Sequence, residues 1–75
     1  MEVQDIRINN IAHSVAVYDN ILLIANQATA MHLPIDQLMF DDKHKWLVTR
    51  DNSIRVHLND VYEQIKALVE QYEAR

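Results

Sequence analysis

Toward the C-terminal end of the chain, Val61, Ile65, Leu68 and Tyr72 recur at helical spacing, and Val69 widens the stripe. Glu63, Gln64, Lys66, Glu70, Gln71 and Glu73 occupy the opposite side, so the pattern predicts an amphipathic helix over about 60–74. Asp60 followed by Glu63 has capping-box spacing, with Asn59 as a competing N-cap. Just before it, Ile54, Val56 and Leu58 alternate with Arg55 and His57, the signature of a half-buried strand. Lys45–Thr49 supplies a partner strand, and Asp51-Asn52 the turn between them. A two-residue loop would put Leu47 and Thr49 beside the core; a three-residue loop would put Trp46 and Val48 there. The second is preferred, because it buries the only tryptophan.

The first half of the chain is less decisive. Val3–Ile8 reads as a strand ending at Asn9-Asn10. From His13 to His32 two patterns compete. In one, Ser14–Tyr18 and Ile21–Ala25 form a hairpin around Asp19-Asn20, and Ala28–Leu33 adds a strand before Pro34. In the other, Ile11, Val15, Tyr18, Leu22, Ala25, Thr29 and His32 line one seam of a long helix over about 11–33, giving an α-β-β-α order. An internal echo favours strands. Tyr18-Asp19-Asn20-Ile21 matches Arg50-Asp51-Asn52-Ser53-Ile54, and Met31-His32-Leu33-Pro34-Ile35-Asp36 matches Val56-His57-Leu58-Asn59-Asp60 as a strand entering a helical turn. The expected fold is therefore α+β, a small, mostly antiparallel sheet with the C-terminal helix packed on it, in one domain of residues 1–75. From Leu33 to Val69 the hydrophobic order resembles the small FlbD-type flagellar proteins; their turns favour Asn-Gly, which this chain lacks, and no function is carried over.

Composition narrows the chemistry. At 75 residues, 49% of them hydrophobic, the chain is near the lower size limit of a self-sufficient core. It has no cysteine, so neither disulfides nor thiolate zinc sites can support it. Glycine is also absent, although average usage is about 7%. Left-handed backbone positions must then fall to Asn9-Asn10, Asp19-Asn20 and Asp51-Asn52. The same absence removes the P-loop and the dinucleotide fingerprint. No run approaches the roughly 20 apolar residues of a membrane span. Met1-Glu2-Val3-Gln4-Asp5 is unlike a signal peptide, and the expected location is cytoplasmic.

Catalysis finds little support. His13, His32, His44 and His57 include no His-x-x-x-His pair, and the densest cluster, Asp41, Asp42 and His44, reads as a solvated connector. Ser14 and Ser53 lack an oxyanion-hole motif. Asp36 with His32 is a pair without a pocket. No enzyme activity, metal or cofactor is expected.

Charge says more. Lys43, Lys45, Arg50 and Arg55 against Asp51 give the 43–57 segment a formal +3, leaving −7 on the rest of a chain whose net charge is −4. A basic hairpin carrying Trp46 and His57 could approach phosphates or stack on a base. The net acidity opposes long-range attraction to nucleic acid. Asp60, Glu63, Glu70 and Glu73 could instead meet a basic protein surface, and Glu70 and Glu73 lie where the helix dipole disfavours them. In the strand reading, Ile21 and Leu23 are apolar on the side opposite Leu22 and Ile24, which points to self-association as a homodimer or larger homo-oligomer. The function expected is a small acidic protein-binding module: an inhibitor, adaptor or regulatory subunit, of a size and acidity that suit phages and mobile elements. Its candidate partner-binding residues are Lys43, Lys45, Arg50, Arg55, His57, Glu63, Glu70 and Glu73. The alternative is a nucleic-acid-binding regulator using the 43–57 hairpin.

Overall fold

A computed structural model describes residues 2–74 of the chain. It contains seven strands and one α-helix among these residues: β1 Val3–Ile8, β2 Ile11–Tyr18, β3 Ile21–Ala25, β4 Ala30–Pro34, β5 Leu38–Asp41, β6 Trp46–Thr49, β7 Arg55–His57 and α1 Tyr62–Glu73. Two antiparallel sheets result, in the spatial orders β1-β2-β3-β4 and β5-β6-β7. The fold is thus small α+β, and residues 11–33 form strands rather than the long helix of the competing pattern.

The turns explain how a chain without glycine makes so many reversals. Asn9 and Asn10 have φ of 52° and 67°, and Asp19 and Asn20 have 49° and 61°. Two successive left-handed residues make the turn whose twist matches that of the flanking strands. The short polar side chains of Asn and Asp tolerate this region better than other residues with a Cβ. Asn52 is also left-handed (60°), while Asp51 is not. Two further positions were not foreseen: Lys45 (62°) between β5 and β6, and Asn59 (50°) after β7.

Strand alternation then sorts the side chains. Ile6 and Ile8 of β1, Val15 of β2, Leu22 and Ile24 of β3 and Leu33 of β4 are buried on one face of the first sheet. Leu38 and Leu47 come from the second sheet, and Tyr62, Ile65 and Val69 from α1; all belong to one apolar cluster. Transfer of such side chains from water stabilises by roughly 1.5–3 kcal/mol each, which is the main force joining sheets to helix. The internal echo corresponds to real geometry: β4 and β7 each run into a single 3-10 turn, Ile35–Gln37 and Asn59–Val61.

Three sequence expectations are corrected. First, the helix expected over about 60–74 is present as Tyr62–Glu73, but no side chain caps it; Val61 is the N-cap. The chain arrives through the 3-10 turn, with Asn59 left-handed and its side-chain amide donating to Asn9 Oδ1 (3.2 Å), so the Asp60/Glu63 box does not form. Second, the pattern predicts no element at Leu38–Asp41, which forms β5, and Asp41, expected in the solvated connector, is its last residue. Its buried Leu38 and half-buried Phe40 do alternate with Met39 and Asp41, but an apolar Met39 blurs the alternation. Third, the β6–β7 register is the one not preferred. Leu47 pairs with Val56, Trp46 with His57 and Val48 with Arg55. Thr49 N–H donates to Ile54 O (3.0 Å), leaving four residues in the loop, an even number that turns Leu47 and Thr49 inward. Trp46 and Val48 lie half-buried on the other face.

The loop itself fixes that register. The Thr49 hydroxyl donates to Asp51 Oδ1 (2.8 Å) and accepts Ile54 N–H (3.1 Å). Asp51 also takes the N–H and hydroxyl of Ser53 (3.0 and 2.7 Å). Those bonds, the Ser53 amide foremost, push the Asp51 carboxyl down from 3.8 to about 2.

Candidate docking face on the second sheet

Inversion of the hairpin register creates the most distinctive surface of the molecule. The outward face of the second sheet carries Met39 and Asp41 from β5, Trp46 and Val48 from β6, and Arg55 and His57 from β7. Trp46 is flanked by three planar groups. Its ring stacks on His44 at a centroid distance of 4.2 Å and on His57 at 5.0 Å, both with planes 16° apart. The Arg55 guanidinium lies 4.5 Å from the Trp46 ring centre, a cation–π contact. Met39 is 50% exposed at the edge of this face. The six outward residues of the sheet, with Phe40, Asn52 and Ser53, line an open concavity of about 900 Å³.

His44 is held in place by Asp41. The carboxylate accepts the Lys43 and His44 backbone N–H groups (3.0 and 3.2 Å) and bonds the His44 ring (2.9 Å). The His44 ring contact is the main reason that the Asp41 carboxyl titrates below its ordinary range. Behind the sheet, Asp42 anchors the same turn to α1: it accepts the Tyr62 hydroxyl and Lys66 Nζ (2.9 Å). Both bonds lower its pKa, Tyr62 the more. Tyr62 is fully buried, and that burial, with the Asp42 bond, raises its hydroxyl pKa. The Lys66 ammonium is correspondingly held protonated by Asp42.

The sequence-predicted basic residues do not form one ribbon. Lys45 turns toward the helix, reaching Glu63 (3.5 Å) and standing 5.0 Å over the Tyr62 ring. Arg50 folds back, its Nε donating to Asp36 O (2.9 Å). Lys43 is exposed in the β5–β6 turn. Arg55 and His57 alone of the predicted set meet on the Trp46 face. On α1, Glu63 is engaged with Lys45, whereas Glu70 and Glu73 are exposed and join no ion pair among the described residues. Ile21 and Leu23 are half-buried on the outward face of the first sheet, in register with Tyr18 and Ala16 of β2.

Sequence reasoning placed Trp46 in the core and left out Met39, Val48 and His44. One signal was available: a threonine at position 49 beside Asp51 and Ser53 can close a four-residue loop, and an even loop points the tryptophan outward. Among the described residues no group of three His, Asp or Glu side chains is placed to hold a metal ion, and no helix is long and apolar enough to cross a membrane. In comparisons with known proteins, no family model, no curated protein and no solved structure matches this chain.

Proposed function

We propose that this chain is a protein-binding module, acting as an inhibitor, adaptor or regulatory subunit without catalysis, and that it docks through the outward face of β5–β7. One observation carries the reading: the only tryptophan is held outside the core, stacked against His44, His57 and Arg55. Tryptophan, arginine and methionine are enriched in interface cores, and truncating a central tryptophan typically costs a complex 2 kcal/mol or more. A ring already fixed by its neighbours loses little rotamer freedom on binding. The test is recovery of partners by tagged wild-type protein and by Trp46→Ala from the native host at moderate salt. A stoichiometric protein retained by the first and lost by the second supports the reading; equal recovery by both refutes this docking face.

A second reading, nucleic-acid binding, draws on the same stack, because a base can add to such a platform. The scattering of Lys45 and Arg50 away from it, and the net charge of −4, weigh against it. It predicts affinity for a single-stranded oligonucleotide that falls steeply with salt and with Arg50→Ala and Arg55→Ala. Self-association through Ile21 and Leu23, in the cytoplasm, belongs to the proposal as well. Leu23→Glu should then convert an oligomer to a folded monomer in sedimentation; a wild type already monomeric at high concentration would remove that part.

A further inference from the structure

Resting on the docking face just proposed, we infer that its partner is an extended, carboxylate-bearing protein segment, which adds as a strand to the free edge of β7 and pairs its acid with Arg55. Two independent observations converge there.

The first is backbone geometry. In an antiparallel ladder, residues alternate between those bonded to the neighbouring strand and those facing away. Thr49 N–H donates to Ile54 O and Leu58 N–H to Lys45 O, both at 3.0 Å. Residues 54, 56 and 58 therefore face β6, and the N–H and C=O groups of Arg55 and His57 face outward. β7 is last in the order β5-β6-β7, so no strand covers that edge. No proline blunts it. Pairing of an extended peptide with such an edge derives affinity from main-chain bonds and specificity from the flanking side chains.

The second is charge. Arg55 and His57 project onto the outward face from the same two residues whose backbones are open. Arg55 is exposed, its guanidinium is steadied by Trp46, and it joins no ion pair among the described residues. The acids of this sheet and its hairpin loop are already engaged: Asp41 by His44 and two backbone amides, and Asp51 by Ser53 and Thr49. A planar guanidinium held by one face presents its N–H edge to a carboxylate, which takes two parallel bonds from it. An incoming strand on β7 places its own side chains beside Arg55 and His57, within reach of that edge. Apolar residues on the same face of the added strand would pack beside His57 and the rim of the Trp46 stack.

The test uses a phage-displayed library of linear random dodecapeptides selected on immobilised wild-type protein. Enriched peptides should share an Asp or Glu at a fixed position between strand-forming residues. Their affinity should fall roughly tenfold for Arg55→Ala, the size expected for one charge-assisted pair. His57→Pro removes one outward N–H without touching the β6 ladder, and should weaken binding well beyond His57→Ala, which controls for the lost ring. Matching far-UV circular dichroism melts establish that the variants are folded. Enriched peptides without a common acid, peptides indifferent to Arg55→Ala or to His57→Pro, or no enrichment at all would overturn the inference. So would Arg55-dependent binding of oligothymidylate in place of any peptide, which would favour nucleic acid. A host protein that requires Trp46 yet ignores Arg55→Ala and His57→Pro would leave the docking face standing and remove only the strand-addition claim.

Discussion

The inverted register of the β6–β7 hairpin makes a sharp energetic forecast, because two adjacent residues trade the roles that their sizes suggest. Leu47 is 1% exposed and sits in the shared core cluster, whereas Trp46 is half-buried on the outward face. Leu47→Ala removes a core side chain from between the second sheet and the helix and leaves a cavity; such changes cost 2–5 kcal/mol, and about 3 kcal/mol suits this fully enclosed site. Trp46→Thr removes the stacks on His44 and His57 and the Arg55 contact, all at the surface. These contribute some tenths of a kcal/mol each, partly offset by the strand preference of threonine, for a net loss of about 1 kcal/mol. For a domain of this size 1 kcal/mol corresponds to about 4–8 °C in Tm. Thermal unfolding followed by far-UV circular dichroism should therefore show a drop of about 12–24 °C for Leu47→Ala and about 4–8 °C for Trp46→Thr. A Trp46→Thr loss equal to or greater than that of Leu47→Ala would refute the register and, with it, the docking face.

Other forecasts follow from the turns. Asp51 has its pKa depressed in the folded protein, from 3.8 to about 2, so its contribution to stability is complete above pH 4 and is lost as pH falls toward 2. Tm should decline over that interval, and Asp51→Asn should flatten the decline; an unchanged slope would show that the Ser53 and Thr49 bonds do not matter in solution. Asn20 at φ 61° should tolerate glycine, whereas Asn20→Ala should cost about 1 kcal/mol in denaturant unfolding. Equal stability of the two variants would contradict the left-handed turn.

Much of the fold can be read from the residues, and the failures have physical causes. Val3–Ile8 and Ile21–Ala25 coincide with their predicted bounds because each apolar-rich run stops at an Asn or Asp turn. The Tyr62–Glu73 helix is legible through its 3.6-residue stripe, but its first turn is not, since tertiary entry from β7 overrides the local cap. Lys45 escaped notice because a long basic side chain does not announce a left-handed backbone; there its N–H closes the turn on Asp41 O (2.8 Å) and its C=O accepts the Leu58 N–H (3.0 Å). The candidate site was half visible. Arg55 and His57 were picked out by charge and alternation, yet the facing of Trp46 depended on loop parity, which rests on hydroxyl and carboxylate bonds among Thr49, Asp51 and Ser53. The outward placement of a tryptophan runs against the general drive to bury it, and that departure is what marks the surface.

The order of strands has a kinetic consequence. Every strand in either sheet is bonded to its neighbour in sequence, so forming the sheets closes only short loops. The helix instead reaches far back: Tyr72 OH accepts the Asn20 N–H (2.8 Å), and Gln64 donates to Gln4 (2.9 Å). Closing those spans costs more chain entropy than any turn. The meanders should therefore organise first, with docking of the helix over Leu22, Ile24 and Leu47 as the late step; a folding transition state with helix contacts already formed would refute this order. Run backwards, the helix detaches first, and its amides should exchange with solvent ahead of those in the β2–β3 ladder.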